Sequence, residues 1–517
     1  METLVSSSIV GLMVYFVVRI LYNVLLKPIY LGNVLKRQGI KGTRYKFLHG
    51  DMEEMRSSAI EALSKPMSLN HEIAPRVSPF FYHMLQKYGK VCMSWAESKP
   101  RLIIGESGLI RSILNDKNGE FMKPPLNPLV DLLQLGLASL EGQQWSHRRR
   151  LITHAFHLDM LKGMLPAFST SCCSLIERWE KLMSGEESIE VDVMPEFHVL
   201  AGDIIARTAF GSSYEEGKKI FELQKEQITL VLEAYSAIYF PGLRFIPTKK
   251  NRRRYKVDKE IKAILRGLIR KKQEAMEDEK EVAQLDLLGL LLQKCQLKDQ
   301  AVDHDHQDDV LTVDDVIEEC KLLYIAGQET TAILLTWTMI VLSMHPNWQQ
   351  KAREEVLHLC GKQTPDFDAI NHFKIVTMIF YEVLRLYPPV TTLYRYTKHK
   401  TNIGGMKIPA GVETVLFILS LHHDPKYWGH DAAEFNPERF SEGVAKSSKD
   451  DQAAFYPFGW GPRICLGQNF AMIEAKMGLA MILQRFSFQL SPSYTHAPYQ
   501  HLTLQPQYGA PIILQPL

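Results

Sequence analysis

The chain has 517 residues, of which 46% are hydrophobic and 23% charged, values typical of a globular protein with a sizeable core. Its 60 basic and 58 acidic residues give a net charge of +2, which argues against nucleic acid as the main partner, because phosphate binding usually leaves a clear basic surplus. The seven cysteines show no CxxC spacing, which disfavours a disulfide framework or a zinc site and favours a reducing compartment.

The N-terminal run, residues 4–26, is apolar and long enough to cross the ~30 Å hydrocarbon core of a bilayer. Arg19 is its one charge and lies toward one end, where the side chain can reach the headgroups. A cleaved signal peptide would carry basic residues before the run and small residues at a cleavage site, and neither is found. Basic residues follow the run instead, which predicts a single-pass signal anchor over residues 1–26 with the next domain in the cytosol.

Residues 27–49 form a basic connector, in which Pro28, Gly39 and Gly42 are expected to break helical structure. The remainder, residues 50–517, is predicted to be one large domain in which apolar residues recur mainly at helical spacing.

Examples of this helical spacing are residues 206–235 and 256–281. A long apolar helix is predicted over the run that begins at Val316 and is ended by Pro346. Short strands are predicted at 91–97, 100–106 and 401–419. The predicted fold class is therefore mainly α with small β-sheets.

Two polar runs, 298–315 and 442–452, are predicted to be exposed loops. The first contains the sequence from His304 to Asp309, whose residue types could bind a metal. Nothing at that spacing forms a closed set of ligands, so we favour a solvated acidic loop.

The most specific motif of the chain is F-x-x-G-x-R-x-C-x-G, close to the C-terminus. Its fixed residues are Phe458, Gly461, Arg463, Cys465 and Gly467. Five fixed residues at this spacing would arise by chance in a chain of this length with a probability on the order of 10⁻⁴.

The residue types of this motif are those of a metal thiolate. Gly461 permits a turn that an ordinary side chain would strain, and Gly467 lets the backbone approach a flat, bulky group. A helix is predicted to begin just beyond Cys465, and its free N–H groups would stabilise a sulfur anion. Arg463 could pair with a propionate-type carboxylate. The alternative is a buried structural cysteine in a turn.

With this loop the chain resembles the cytochrome P450 superfamily, in which the cysteine thiolate of the loop holds haem iron. The resemblance covers nearly the whole chain, and it implies the P450 fold, haem b as cofactor and Cys465 as the axial ligand. Membrane-bound members often carry a proline-rich hinge after the anchor, whereas the connector here has only Pro28.

The sequence AGQETT, Ala326 to Thr331, lies inside the long apolar helix, where glycine and threonine are poor helix formers and a buried Glu329 is costly without partners. It resembles the oxygen-activating motif of the family. Small Ala326 and Gly327 would leave room beside the iron, Thr330 would hydrogen-bond dioxygen, and Glu329 would relay protons. A kinked packing helix is the structural alternative.

Glu382 and Arg385 lie three residues apart and so on one helix face, a spacing that usually marks a surface pair of little energetic weight. In the family, the corresponding glutamate and arginine join a second arginine in a buried network that supports the haem loop. The resemblance extends this supporting role to Glu382, Arg385 and Arg439.

Trp145 and Arg149 match the W-x-x-x-R pair that bonds a haem propionate in the family. The same basic run could also form a solvated face, and Arg148 and Arg150 could face an acidic reductase. Arg395 stands where the family keeps another propionate-binding arginine.

More narrowly, stretches such as FGWGPRICLGQNFAMIEAKM resemble the plant subfamily that includes secologanin synthase, whose relatives oxidise iridoid, triterpenoid, steroidal and gibberellin-type terpenoids. By analogy the substrate pocket would include residues 122–140, Tyr324, Ile325, 390–394 and 496–504. These stretches are mainly apolar with a few polar groups, as expected for a terpenoid that carries hydroxyl or acid groups.

The resemblance implies a haem-thiolate monooxygenase, anchored in the endoplasmic reticulum membrane with its catalytic domain in the cytosol. It would oxidise a terpenoid with dioxygen and with electrons that NADPH delivers through NADPH–cytochrome P450 reductase. No nicotinamide or flavin fingerprint is found in the sequence, so the electrons are expected from another protein.

Two alternatives stay open at this point. A haem-thiolate isomerase or dehydratase would use peroxides without a reductase, but such enzymes commonly lose the AGQETT motif. A non-enzymatic haem-binding sensor would have no use for residues that relay oxygen and protons.

Overall fold

The computed structural model describes residues 2–125, 127–133, 136–235, 242–277, 286–296, 311–449 and 453–517. The run from His304 to Asp309 and most of the loop predicted around it lie outside the described residues, as do residues 450–452 of the second predicted loop. The described chain is mainly helical with small sheets, which confirms the predicted fold class.

The α-helices of the described residues are, in chain order, α1 (Glu2–Leu21), α2 (Lys27–Lys36), α3 (Met52–Leu63), α4 (Ala74–Val77), α5 (Pro79–Tyr88), α6 (Ser107–Leu114), α7 (Gly142–Thr153), α8 (Leu158–Leu182), α9 (Val193–Phe210), α10 (Tyr214–Tyr235), α11 (Lys249–Glu277), α12 (Leu287–Gln296), α13 (Val313–Met344), α14 (Pro346–Cys360), α15 (Phe367–His372), α16 (Ile375–Leu386), α17 (Ile418–His422), α18 (Pro425–Trp428) and α19 (Gln468–Arg485).

The strands of the same residues are β1 (Lys41–Gly42), β2 (Val91–Ala96), β3 (Lys99–Ile104), β4 (Phe121–Met122), β5 (Ile189–Asp192), β6 (Leu393–Thr397), β7 (Thr401–Ile403), β8 (Met406–Ile408), β9 (Glu413–Leu416), β10 (Phe486–Leu490), β11 (Pro498–Gln500), β12 (Leu504–Pro506) and β13 (Pro511–Pro516). All three regions predicted to contain strands do so.

The N-terminal helical run does not end at Pro28, so the prediction that this residue breaks the helix is wrong. A π-helical turn, Tyr22–Leu26, joins α1 to α2, and Pro28 lies in the first turn of α2, where its missing N–H needs no partner. The run continues to Lys36, and Gly39 then adopts a positive φ of 82°.

By length and composition, two helical stretches of the described chain could cross a membrane, and they differ in burial. The apolar part of Val10–Lys36 is exposed, with Met13 at 64%. α13 is mostly buried, which is typical of a core helix. The first stretch is therefore consistent with a membrane anchor.

The chain forms two compact units. Unit 1 comprises Met1–Pro125, Val390–Ala433 and Ser448–Ile464, and unit 2 comprises Leu126–Pro389, Glu434–Ser447 and Cys465–Leu517. The domain boundaries predicted from the sequence stay predictions.

Unit 1 is built on a six-stranded sheet with the order β1-β2-β3-β9-β6-β4. β2 and β3, both predicted to be strands, form an antiparallel hairpin, and β9 pairs in parallel with β3. Arg101 of β3 and Glu413 of β9 form an ion pair with 2.9 Å between Nη2 and Oε2, and both side chains are nearly buried. The ion pair satisfies two charges that would be costly to bury alone.

Unit 2 is organised around α13, which packs against α9, α16 and α19. α13 begins with a capping box between Thr312 and Asp315, and it ends just before Pro346, which starts α14. Near its C-terminal end, buried Trp337 stacks on Tyr387 with ring centroids 4.3 Å apart. The predicted long core helix is confirmed.

Candidate active site

The loop before the cysteine requires glycine at 461. Gly461 has a φ of +69°, a left-handed conformation that costs an ordinary residue about 1–2 kcal/mol. A Cβ there would collide with the backbone oxygen of Leu114 and lie 3.0 Å from Cα of Asn115, at the end of α6. The turn needs a residue without a side chain, as the sequence predicted, and the close packing within unit 1 requires the same.

Cys465 lies in unit 2, three residues before α19, and it is exposed. Desolvation by the surrounding protein raises the pKa of the thiol, and the N–H of Gly467 and the charge of Arg149 oppose this rise only in part. The predicted helix beyond the cysteine is present as α19, and the thiolate is the form of cysteine that binds metal.

Gly467 leaves the surroundings of this sulfur open. Its φ of −83° is ordinary, so the backbone itself does not require glycine. A Cβ built there would lie 4.0 Å from Sγ of Cys465 and 3.9 Å from the ring of Phe156. One exposed thiol, with anion-stabilising neighbours and no side chain at position 467, fits the axial ligand of a haem iron.

α7 brings the predicted W-x-x-x-R pair into the neighbourhood of the cysteine. The Arg149 guanidinium lies 5.9 Å from the centroid of the Trp145 ring, and both residues are half-buried. Arg149 is also near enough to Cys465 for its charge to lower the pKa of the thiol. Unit 2 thus brings together three of the predicted haem-binding residues: Trp145, Arg149 and Cys465.

Arg148 is not available to a reductase, which corrects one expectation from the basic run. Its guanidinium binds Glu319 at 2.8 Å and Asp315 at 3.0 Å, and only 11% of its side chain is exposed. Arg150, by contrast, is exposed. Successive helical residues point about 100° apart, so neighbouring arginines face different surroundings.

Three further predicted residues belong to unit 1. Arg395 lies on β6, is 4% exposed and donates from Nη1 to the backbone oxygen of Tyr394 at 2.9 Å. Phe458 and Arg463 are half-buried residues of the loop before the cysteine.

The AGQETT segment has one open face. Ala326 is exposed and Thr330 half-buried, although most of α13 is buried. The two residues are one turn apart, and Oγ1 of Thr330 donates to the oxygen of Ala326 at 2.8 Å. Ala326 and Thr330 therefore share the open face of α13, and their role beside a bound group stays a prediction.

Gly327 does not contribute to that open face, so its predicted role is wrong. A Cβ at Gly327 would lie 2.8 Å from Cγ1 of Ile205, a side chain of α9. Because Gly327 follows Ala326 by about 100° around the helix, it faces α9 instead of the open side. The glycine lets two helices pack closely.

Glu329 has the partners that its burial requires. His198 of α9 lies 3.1 Å from Oε2, and Thr503 donates to Oε1 at 2.6 Å. Gln505 donates to the same Oε1. Burial by itself would raise the pKa of Glu329, but these hydrogen bonds and the histidine charge lower it to about 2. The carboxylate is therefore ionised at neutral pH.

His198 is a site residue that sequence reasoning missed. It precedes Glu329 by 131 positions, and nothing in the sequence around it differs from an ordinary core helix. The close packing of α9 on α13 brings the two side chains together.

Glu382, Arg385 and Arg439 meet in a buried network, so the surface-pair alternative is excluded. Arg385 donates to both oxygens of Glu382 at 2.7 Å, and both side chains are 0% exposed. Arg439 lies 3.4 Å from the same carboxylate, and the N–H of Asn436 donates to it at 2.9 Å. The network ties α16 to the segment that follows Glu434.

Three of the stretches predicted to line a substrate pocket meet in one apolar cluster of unit 2. Its members are Leu133, Ile228, Val231 and Ile325, with Val130, Leu232 and Leu502 packed against them. α10, which supplies Ile228, Val231 and Leu232, was not predicted to take part. Leu126, Gln134 and Leu135 of the predicted stretch lie outside the described residues.

Tyr324, by contrast, is a core residue. It is fully buried, and its ring stacks on Phe210 with centroids 4.2 Å apart. Phe221 contacts it edge to face at 5.1 Å. The expectation that Tyr324 faces a substrate is therefore wrong, because these two rings cover it.

Buried charges of α13 hold the segment that precedes α7. Nζ of Lys321 donates to the backbone oxygen of Leu132 at 2.9 Å and pairs with Asp258 at 2.8 Å. Oε2 of Glu319 accepts from the N–H of Leu137 at 3.0 Å. These contacts fix the backbone on both sides of Leu133, which belongs to the apolar cluster.

The chain matches known proteins over nearly its full length. Residues 71–511 match the protein family described as Cytochrome P450. The chain is 52% identical to the cytochrome P450 CYP72A616 of Paris polyphylla, over 95% of this chain and 94% of that protein.

Two relatives from Catharanthus roseus bear names that state an activity. Secologanin synthase 1 is 45% identical over 99% of this chain and 98% of its own length. The 7-deoxyloganic acid hydroxylase is 44% identical over 100% of this chain and 99% of its own length. The chain belongs to the cytochrome P450 family and, within it, to the CYP72A subfamily of plant monooxygenases.

Proposed function

We propose that this cytochrome P450 oxidises a C–H bond of a terpenoid, of triterpenoid, steroidal, iridoid or gibberellin-like type, with dioxygen and electrons from NADPH. NADPH–cytochrome P450 reductase would supply the electrons. The observation that carries the substrate class is the 44–45% identity, over nearly the whole chain, to a secologanin synthase and a 7-deoxyloganic acid hydroxylase.

The proposed organisation has three parts: an anchor over residues 1–26, a connector over 27–49 and a haem domain over 50–517. The exposed apolar helix supports an anchor in the endoplasmic reticulum membrane. The basic residues after the apolar run favour the cytosol for the haem domain.

The haem, when bound, would supply the iron at which dioxygen is reduced and the substrate oxidised. Cys465 would ligate the iron, while Trp145, Arg149, Arg395 and Arg463 would hold the propionates. Arg149 is suited to a propionate, because its planar donors match a carboxylate. Its charge also opposes the rise that burial causes in the pKa of the Cys465 thiol.

Thr330 and Glu329 are the proposed residues for oxygen and proton handling. The hydroxyl of Thr330 lies on the open face of α13 and is held in place by its bond to the backbone of Ala326. Glu329, on the α9 side of the helix, keeps a charged carboxylate in a largely buried place.

The apolar cluster around Ile325 is the proposed contact surface for the hydrocarbon part of the substrate. Its side chains come from α10, α13, the segment before α7 and the β11–β12 connection. Apolar walls with few polar groups exclude water and orient an aliphatic scaffold.

The test is turnover by the full-length protein in microsomes with a plant reductase and a panel of triterpenes, steroids, iridoid acids and gibberellin precursors. We expect NADPH-dependent oxidation of one class and a carbon monoxide difference band of the thiolate type. Product from a peroxide without NADPH would favour an isomerase or dehydratase. Haem binding without product from any class would favour a sensor.

Replacing Thr330 by alanine is expected to keep the haem and to uncouple the reaction. Without the hydroxyl, reducing equivalents should leave as hydrogen peroxide, and the yield of product per NADPH should fall about tenfold or more, toward the 10²–10⁴-fold range of acid–base contributions. Peroxide and product are measured together. Thr336→Ala is the matched control, because Thr336 makes the same backbone bond on α13 but is fully buried. Unchanged coupling in Thr330→Ala would contradict the role.

A further inference from the structure

Both carboxylate oxygens of Glu329 accept hydrogen bonds, but from different kinds of donor. Oε1 accepts from Thr503 and Gln505, which are neutral side chains of the β11–β12 region. Oε2 faces Nε2 of His198 at 3.1 Å. Only the partner of Oε2 can gain or lose a proton near neutral pH.

The other ring nitrogen of His198 is fixed by its own helix. Nδ1 lies 2.8 Å from the backbone oxygen of Met194, one turn earlier in α9. A carbonyl oxygen only accepts, so Nδ1 carries its proton whether the ring is charged or neutral. The nitrogen that titrates is therefore Nε2, the ring nitrogen that faces Glu329.

The pKa values of the two groups place the proton between Nε2 and Oε2 on His198. Burial by itself would lower the pKa of His198, but the hydrogen bond and charge of Glu329 outweigh it and raise that pKa. The pKa of Glu329 is held at about 2 by the same contact and by its neutral donors. At neutral pH the carboxylate alone thus has no proton to give.

Other titratable groups around the pair are few in the part of unit 2 that the structure describes. Lys225 of α10 lowers the pKa of His198 through its charge. Burial and the charge of Glu329 raise the pKa of Tyr499, whereas the pKa of His501 is lowered, because its burial outweighs the charge of Glu329. None of these three has a hydrogen bond to Oε2 in the structure, so His198 is the direct proton source for that oxygen.

We propose that His198 supplies Glu329 with the protons that the oxygen chemistry consumes; this rests on the proposed monooxygenase function. In this step the Nε2–H bond of the imidazolium breaks and an O–H bond forms on Oε2, which leaves a neutral ring with its proton on Nδ1. After the carboxyl group has passed its proton on, solvent returns one to Nε2. About a quarter of the His198 side chain is open to water, 23% by area.

The first experiment replaces His198 by glutamine, whose amide can still donate to Glu329 but does not titrate. Product formation by the full-length protein with reductase is expected to fall about tenfold or more, toward the 10²–10⁴-fold range of general acid catalysis. In the wild type, product formation should fall as the pH rises through the pKa of His198, because only the imidazolium donates. This fall should be absent in His198→Gln.

The second experiment does not depend on turnover. NMR titration of ¹³C-labelled histidine in the full-length protein should give His198 a pKa above the ordinary value of 6.5. In Glu329→Gln that pKa should fall, because the carboxylate charge that raises it is gone. His358→Gln is the matched control, since His358 is an exposed residue of α14. This variant should leave unchanged both the pH profile of product formation and the pKa of His198.

Two results would overturn the role of His198 alone: equal rates and pH profiles in wild type and His198→Gln, or a wild-type pKa of His198 at or below 6.5. The NMR result stands even if His198→Gln fails to fold. Wild-type protein that forms no NADPH-dependent product would overturn the proposed function, and this inference with it.

Discussion

Replacing Cys465 by serine is expected to abolish the thiolate-type carbon monoxide band and to reduce product formation below detection. Serine has nearly the same size, but its hydroxyl is a far weaker acid than a thiol, so it cannot supply the thiolate that binds the metal. The measurement is the difference spectrum of reduced microsomes, with product assayed in the same preparation.

Cys360→Ser provides the matched control for this substitution. Cys360 is a half-buried cysteine at the end of α14, and burial raises the pKa of its thiol with no arginine to oppose it. The variant should keep the band and the activity. A thiolate-type band that survived in Cys465→Ser would remove the central assignment of the site.

Replacing Arg385 by methionine is expected to lower the free energy of unfolding by about 3–5 kcal/mol, because it leaves Glu382 as a buried charge without its bidentate partner. Both residues are 0% exposed, so water cannot replace the lost donors. Denaturant unfolding of the full-length protein in detergent, followed by tryptophan fluorescence, measures the loss.

The double variant Glu382→Met/Arg385→Met should recover part of this loss, since it removes both charges together. Lys446→Met is the surface control. The side chains of Lys446 and its partner Glu442 are 66% and 69% exposed. The substitution should therefore lower the free energy of unfolding by less than about 1 kcal/mol. A single variant as stable as the wild type would show that the network is not a structural support.

The sequence predicted a helix well where the apolar periodicity and a helix-ending proline indicate the same boundary. The run from Val316 to Pro346 is a long core helix, because its apolar residues surround the whole helix and proline starts the next one. Pro28 misled the prediction, because a proline in the first turn of a helix sacrifices no hydrogen bond.

The direction in which a side chain points was harder to predict than its element. Ala326 and Gly327 are adjacent, yet one faces open space and the other faces Ile205 of α9. Arg148 and Arg149 are adjacent, yet the first is bound by acidic residues of α13 and the second acts on Cys465. A 100° step per residue separates such neighbours, and only the packed helix shows which way each turns.

The sequence by itself determined the chemistry: a cysteine between glycines before a helix, an acid and a threonine inside an apolar helix, and the family to which these belong. Short-range motifs suffice there, because the turn, the helix start and the ligand are encoded within a few residues. The tertiary structure alone decided which groups surround them. His198 reaches Glu329 across 131 positions because α9 packs on α13. Such a contact depends on how two helices are placed, which no local pattern of residues records.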